Sequence, residues 1–232
     1  MPTILEVADQ LAQADLPVIF LDTCILLDVM RAIKRRYANC VDHAVLLHAA
    51  ATVTPRQCSV VVSHIVQHEW HANQQMLLQE ASRHLAEIHE QSAHFHDACR
   101  AFGIAPGFPR ANYAGLGIAD RLHSLSWQLL NSATLIDADN ECSGRALNRV
   151  INNIPPSTHG GEAKDCTILE EYLAVCRRLH AGGFAKRMVF CTSNKKDYCD
   201  PSNLHLKLVA DFAAAALRFT SDLSWGFHDV TH

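Results

Sequence analysis

Three short apolar runs interrupt a chain whose other hydrophobic residues fall mostly at helical spacing. Val18-Ile19-Phe20-Leu21 leads into Asp22, the valine-rich stretch 58–62 leads into Ser63, and Met188-Val189-Phe190-Cys191 leads into Thr192. Four or five residues without alternation, rich in β-branched and aromatic side chains, are the pattern of strands buried on both faces of a parallel sheet. Beyond the first run, Ile25, Leu26 and Val29 share one side of a predicted helix, with Thr23 as the expected cap. Beyond the second, Ser63 is a good N-cap for a stretch over 64–100 that contains neither proline nor glycine. A helix of that length is expected to bend, break or project beyond the core.

Further helices are predicted over 4–14 (Ile4, Val7, Ala8, Leu11), 41–51, 118–134 (Leu122, Leu125, Leu129, Leu130), 140–152, 162–180 (Cys166, Leu169, Leu173, Cys176) and 206–217. Pro55 closes the second of these and Gly182-Gly183 stops the fifth. Glycine and proline mark loops at 103–117 and 154–161, and the tail from Arg218 is expected to add a last strand and turn. Strands alternating with helices at this spacing predict an α/β fold, three-layered around a mainly parallel central sheet. The 232 residues fit a single domain spanning 1–232, with about 80–156 as a helical insertion or cap.

Composition narrows this. With 49% hydrophobic and 19% charged residues the chain can bury a substantial core, which argues against disorder. A net charge of −4 argues against a basic coat that binds nucleic acid by charge alone. Basic clusters exist locally, at Arg31, Lys34, Arg35 and Arg36 and at Lys186, Arg187, Lys195 and Lys196. No apolar run approaches the ~18 residues of a membrane span, and the start, with Glu6, Asp9 and Asp15, lacks the basic residues of a secretory signal. Nine cysteines, none at CxxC spacing, suggest reduced thiols in a cytoplasmic protein.

In open α/β sheets, ligand sites lie just outside the carboxyl ends of the strands. Asp22 follows the first strand, and Glu69 falls in the second turn of the helix after the second. Asp165 lies in the first turn of a strong helix, and Asn194 and Asp197 follow the third strand. Converging there, these residues would form an oxygen-rich pocket suited to Mg²⁺ or Mn²⁺, ions that activate water for phosphodiester displacement. Taken singly each acid has a plainer reading: Glu162 and Asp165 complement a helix dipole, and Glu69 sits on a solvated face.

Four short motifs in order connect these residues to a family. Leu21-Asp22-Thr23-x-x-Leu26-Leu27-Asp28 resembles the opening motif of PIN-domain nucleases, and Ser63-x-x-Val66-x-x-Glu69 resembles their second. Lys164-Asp165-Cys166-x-Ile168-Leu169 is similar to the third, and Phe190-Cys191-Thr192-Ser193-Asn194-x-x-Asp197-Tyr198 to the fourth. The resemblance spans Val18 to Tyr198, although about 80–156 matches nothing quotable. It implies a PIN-like fold and metal-dependent endonucleolytic cleavage of RNA. Asp22, Glu69 and Asp165 would hold the ion, with Asn194 or Asp197 completing the site. Thr192 or Ser193 would bond a carboxylate or the phosphate, and Arg35 and Lys195, with Lys34, Arg36 and Lys196, would steer the RNA backbone. Asp28, off the helical face of Asp22, is expected to serve the fold. Many members carry an aspartate where this chain has Asn194, which leaves one or two ions open. Also open are a protein inhibitor of the antitoxin kind and a homodimer.

Two other classes compete. Asn194 also fits a catalytically weak PIN-like module that binds RNA or a protein partner. His64, His68 and His71 share one helix face, as a zinc hydrolase would require, yet Ala72 stands where HExxH needs its second histidine. A phosphatase of the haloacid type would need an aspartate where Cys24 stands.

Overall fold

The computed structural model describes residues 2–35, 38–107, 112–157, 163–200 and 203–232. Helix α1 (Ile4–Ala14) leads to strand β1 (Val18–Leu21), helices α2 (Thr23–Met30), α3 (Ala32–Arg35) and α4 (Ala38–Thr52), and strand β2 (Ser59–Ser63). Helices α5 (His64–Ala101) and α6 (Ile118–Ser132), strand β3 (Thr134–Ile136), helices α7 (Asn140–Ile151) and α8 (Ala163–Ala181), and strand β4 (Met188–Cys191) follow. The chain finishes with helix α9 (Lys195–Tyr198), a hairpin of β5 (Cys199–Asp200) and β6 (Asn203–Leu204), helix α10 (Leu206–Ala214), strand β7 (Leu217–Thr220) and helix α11 (Leu223–Thr231).

Five strands form one sheet in the order β3-β2-β1-β4-β7, and every neighbouring pair is parallel. Parallel strands need crossovers, and here helices supply them on both faces. Helices α1, α7 and α10 pack with α8 on one side, while α2, α4, α6 and α11 pack together on the other. The result is three-layer α/β. Both faces of the central strands are covered, so β1, β2 and β4 are buried at every position. This is why their sequences are unbroken apolar runs rather than alternating ones. The chain steps outward from β1 to β2 to β3, then returns to place β4 on the other side of β1. The strand order therefore reverses between β1 and β4, which stay paired to their last residues, and the helices that follow them, α2 and α10, lie on opposite faces of the sheet.

Tyr172 of α8 secures that edge. Its ring packs on Phe20, 5.0 Å between centroids. The phenol donates to the Leu21 carbonyl (2.7 Å) and accepts from the Ser63 amide (3.0 Å), joining the ends of β1 and β2. Tyr172→Phe strands a buried carbonyl and amide, and we expect it to cost about 1–3 kcal/mol in chemical denaturation. A variant as stable as the parent would show that these two bonds contribute nothing net.

The structure departs from the sequence expectations at several points. Asp22, not Thr23, caps α2: the aspartate side chain accepts from the Thr23 amide, and Thr23 is already helical. The segment predicted as helix over 118–134 ends at Ser132, and Thr134–Ile136 pairs with Val61–Ser63 as the sheet edge. A three-residue strand directly after a leucine-rich helix is too short to break the helical periodicity. The stretch 80–156 thus contributes a strand to the sheet, and its α6 packs on α2 and α4. The predicted helix over 206–217 stops at Ala214, because Ala216 adopts a left-handed conformation (φ 48°) that turns the chain into β7. Arg36 and Glu162 lie outside the described residues, as does the second half, 158–161, of the loop predicted over 154–161.

Helix α5 runs unbroken for 38 residues. Its buried residues, Val66, Trp70, Leu77, Ala81 and Leu85, all lie in the first two-thirds, so the remainder projects. Trp70 anchors it by donating from Nε1 to Ser126 Oγ (2.7 Å), which donates in turn to the Leu26 carbonyl (2.8 Å).

Candidate functional site

Asp22 follows β1 directly at the point where the strand order reverses, and it is 4% exposed. Oδ1 accepts from the Thr23 amide (2.7 Å), while Oδ2 accepts from Thr192 Oγ1 (2.6 Å) and Cys24 Sγ (3.2 Å). Thr192 follows β4, so this bond joins the ends of two neighbouring strands. On the β2 side, Thr23 Oγ1 donates to Glu69 Oε2 (2.7 Å), and Lys164 Nζ lies 3.3 Å from Glu69 Oε1. On the β4 side, the Asn194 amide nitrogen of the backbone donates to Thr192 Oγ1 (3.1 Å). The Asn194 side chain donates from Nδ2 to Asp197 Oδ2 (2.9 Å) and Asp165 Oδ2 (3.3 Å). Tyr198 adds a bond from its hydroxyl to the Asp165 carbonyl (3.2 Å).

The four acids and Asn194 predicted from sequence are therefore linked in one chain of hydrogen bonds around the carboxyl edge. Three neutral side chains, Thr23, Thr192 and Asn194, are the connectors. Asn194 places the partial positive charge of its amide hydrogens between two carboxylates, which offsets their repulsion. Among the described residues, no three His, Cys, Asp or Glu side chains are grouped so as to hold a metal ion.

Burial raises the pKa of Asp22 above the ordinary carboxylate value. Hydrogen bonds from Thr192, Cys24 and Thr23 oppose this rise, and the charge of Glu69 adds to it. Burial, then the charge of Asp22, pushes the Cys24 thiol well up, so it stays protonated and acts as a donor. The metal-capable atoms at this edge are therefore oxygens, not thiolate sulfur.

Two predicted substrate contacts are engaged elsewhere. Arg35 Nη1 donates to Asp28 Oδ1 (2.5 Å), and Ser193 Oγ donates to Asp28 Oδ2 (2.6 Å). Asp28, 3% exposed, thus ties α2 to the β4–α9 turn, the structural role expected of it. Lys195 and Lys196 are exposed and border a cleft of about 580 Å³ together with Asn194, Asp28, Asn39, Cys40 and Ser221. Sequence reasoning missed Asn39, Cys40 and Ser221, since they come from α4 and the β7–α11 turn and carry no motif. Of the three histidines, His64 faces Glu171, while His71 packs edge-on to Trp70 and contacts Trp127.

Comparison with protein-family models, curated proteins and solved structures finds no match to this chain. Among the described residues, no helix is long and apolar enough to cross a membrane.

Proposed function

We propose that this chain is a PIN-like, metal-dependent endoribonuclease. One observation carries the reading: Asp22, Glu69, Asp165, Asn194 and Asp197, from four separate elements, are joined through hydroxyl and amide connectors at the strand-order reversal. The donor set is all oxygen, with the thiol of Cys24 beside Asp22 held protonated, and this fits Mg²⁺ or Mn²⁺. Asp22, Glu69 and Asp165 would hold the ion, with Asn194 or Asp197 completing the set. Such an ion, when bound, supplies an activated water and offsets charge on the phosphodiester oxygens. The chain's own residues do the rest. Thr192 orients Asp22 from across the sheet, Lys164 holds Glu69, and exposed Lys195 and Lys196 attract the backbone of a strand entering the adjoining cleft.

Incubating the purified chain with labelled RNA, with Mg²⁺ or Mn²⁺ and with EDTA, tests the reading, alongside calorimetric Mn²⁺ titration. Cleavage that requires the ion is the expected result. No Mn²⁺ binding and no cleavage of RNA would instead favour a PIN-like module that binds RNA or a protein. The bonds from Asn194 to two acids favour that second reading, because they balance the site without an ion. Under the nuclease reading, Thr192→Val removes the donor to Asp22 and the acceptor for Asn194. A loss of about 10–100-fold in cleavage rate is expected, the usual effect of removing a group that orients a ligand. An unchanged rate would show that Thr192 orients nothing.

A further inference from the structure

Glu171 of α8 is fully buried, with 0% exposure, and neither of its carboxyl oxygens has a hydrogen-bond partner. Nδ1 of His64, the first residue of α5, is likewise buried and unpartnered, and it lies 3.4 Å from Glu171 Oε1. A carboxylate oxygen and an imidazole lone pair are both acceptors, and buried polar atoms are seldom left without a partner. One proton between them satisfies both.

Burial and most of the charges around the pair favour the neutral forms. The β3–α7 connection brings Asp137 and Asp139, both of which act against a negative charge on Glu171. Helix α7 brings Cys142 and Arg145, but Arg145 is committed to Glu170 through Nε (2.9 Å). Helix α5 brings His68, which opposes a positive charge on His64. Helix α1 presents Asp9 to Arg178, two turns along α8. Among the described residues, no lysine or arginine pairs with Glu171. Burial pushes its pKa up to about 7 from the ordinary 4.5; the nearby Ser63 hydroxyl, too poorly aligned for a full hydrogen bond, partly offsets this, and Asp139 and Asp137 reinforce it. Burial also lowers that of His64, with Asp137 opposing.

We infer that Glu171 is an uncharged acid sharing its proton with His64, and that this bond latches the first turn of α5 onto α8. Adjacent residues of α8 then grip one corner, Tyr172 at the end of β2 and Glu171 at the first residue of α5. Glu69 lies five positions further along the same helix, so Glu171 is a positioning residue for the carboxylate edge; that role rests on the nuclease reading, whereas the latch does not.

The sign follows from linkage. Because the folded pKa lies above the ordinary one, stability is full below pH 4.5 and falls as pH rises to about 7, where the proton leaves and a buried anion remains. Glu171→Gln keeps a donor for Nδ1 and does not titrate. In denaturant unfolding of the full chain from pH 4.5 to 8.5, the ratio of folding constants, variant over parent, is expected to rise by roughly tenfold per pH unit and level off near pH 7. Nitrogen-15 histidine spectra of the unmodified chain at pH 6 should show His64 neutral, with Nδ1 unprotonated. A pH-independent ratio would overturn the latch. So would spectra placing the proton on Nδ1, and these decide the matter even if the variant does not fold. With RNA, the cleavage ratio of variant to parent should rise over the same interval. If neither protein cleaves, the nuclease reading fails, while the stability profile and spectra still judge the latch.

Discussion

Asp22→Asn is expected to lower Mg²⁺- or Mn²⁺-dependent RNA cleavage by about a hundredfold or more, with the fold intact. The two side chains share a shape, so the amide oxygen can keep the bond from the Thr23 backbone that caps α2. The amide nitrogen would take the place of Oδ2, where the Thr192 hydroxyl can rotate to accept instead of donate. What disappears is the negative charge at the only strand end that neighbours both β2 and β4. Burial and the Glu69 charge already oppose that ionisation, so folding stability should hold or rise slightly. Cleavage rates beside thermal unfolding curves separate the effects. A variant that cuts RNA at the parental rate would remove Asp22 from the proposed site. One that fails to fold would make the aspartate a structural cap first.

Arg149→Ala should be strongly destabilising, costing about 3–5 kcal/mol. Arg149 is 5% exposed, and each of its three guanidinium nitrogens donates a hydrogen bond. Nε donates to Glu170 Oε1 (2.6 Å), Nη1 to the Pro155 carbonyl (3.1 Å) and Nη2 to Asp211 Oδ2 (2.5 Å). Three helices, α7, α8 and α10, therefore meet at one cation. Burial opposes its charge, and the bonds to Asp211 and Glu170 more than offset that. Truncation leaves Glu170 buried with only Arg145 in close contact, Arg177 being 3.9 Å away. Urea unfolding measures the loss. A cost under about 1 kcal/mol would mean that the desolvation of these charges cancels their attraction.

How far the sequence could be read depended on how local each cause was. Val18–Leu21, Ser59–Ser63 and Met188–Cys191 were legible as strands because burial on both faces demands an unbroken apolar run. Ser63 was legible as a cap because its hydroxyl bonds an amide two residues on, to Ile65 (3.1 Å). Thr134–Ile136 was not, since an edge strand of three residues has no pattern apart from its pairing with β2. The acids of the carboxyl edge were visible as a set, yet nothing in the order of residues shows that Arg35 is committed to Asp28 or that Lys164 reaches Glu69. Nothing in the sequence singled out Glu171, because its burial depends on α8 lying against the β2–α5 corner.

By itself, the sequence determined the alternation of strands and helices, the parallel class of the sheet, and which acids stand beside strand ends. Those properties follow from side-chain periodicity and near-neighbour capping, which act over a few residues. Only the tertiary structure decided that Asp22 caps its own helix while Thr23 turns to Glu69, and that Asn194 stands between Asp165 and Asp197. The same holds for Glu171, which meets His64 without a partner for either group. Each of those outcomes is a contact of about 3 Å between residues far apart in the chain, and packing chooses such contacts among many that the sequence permits.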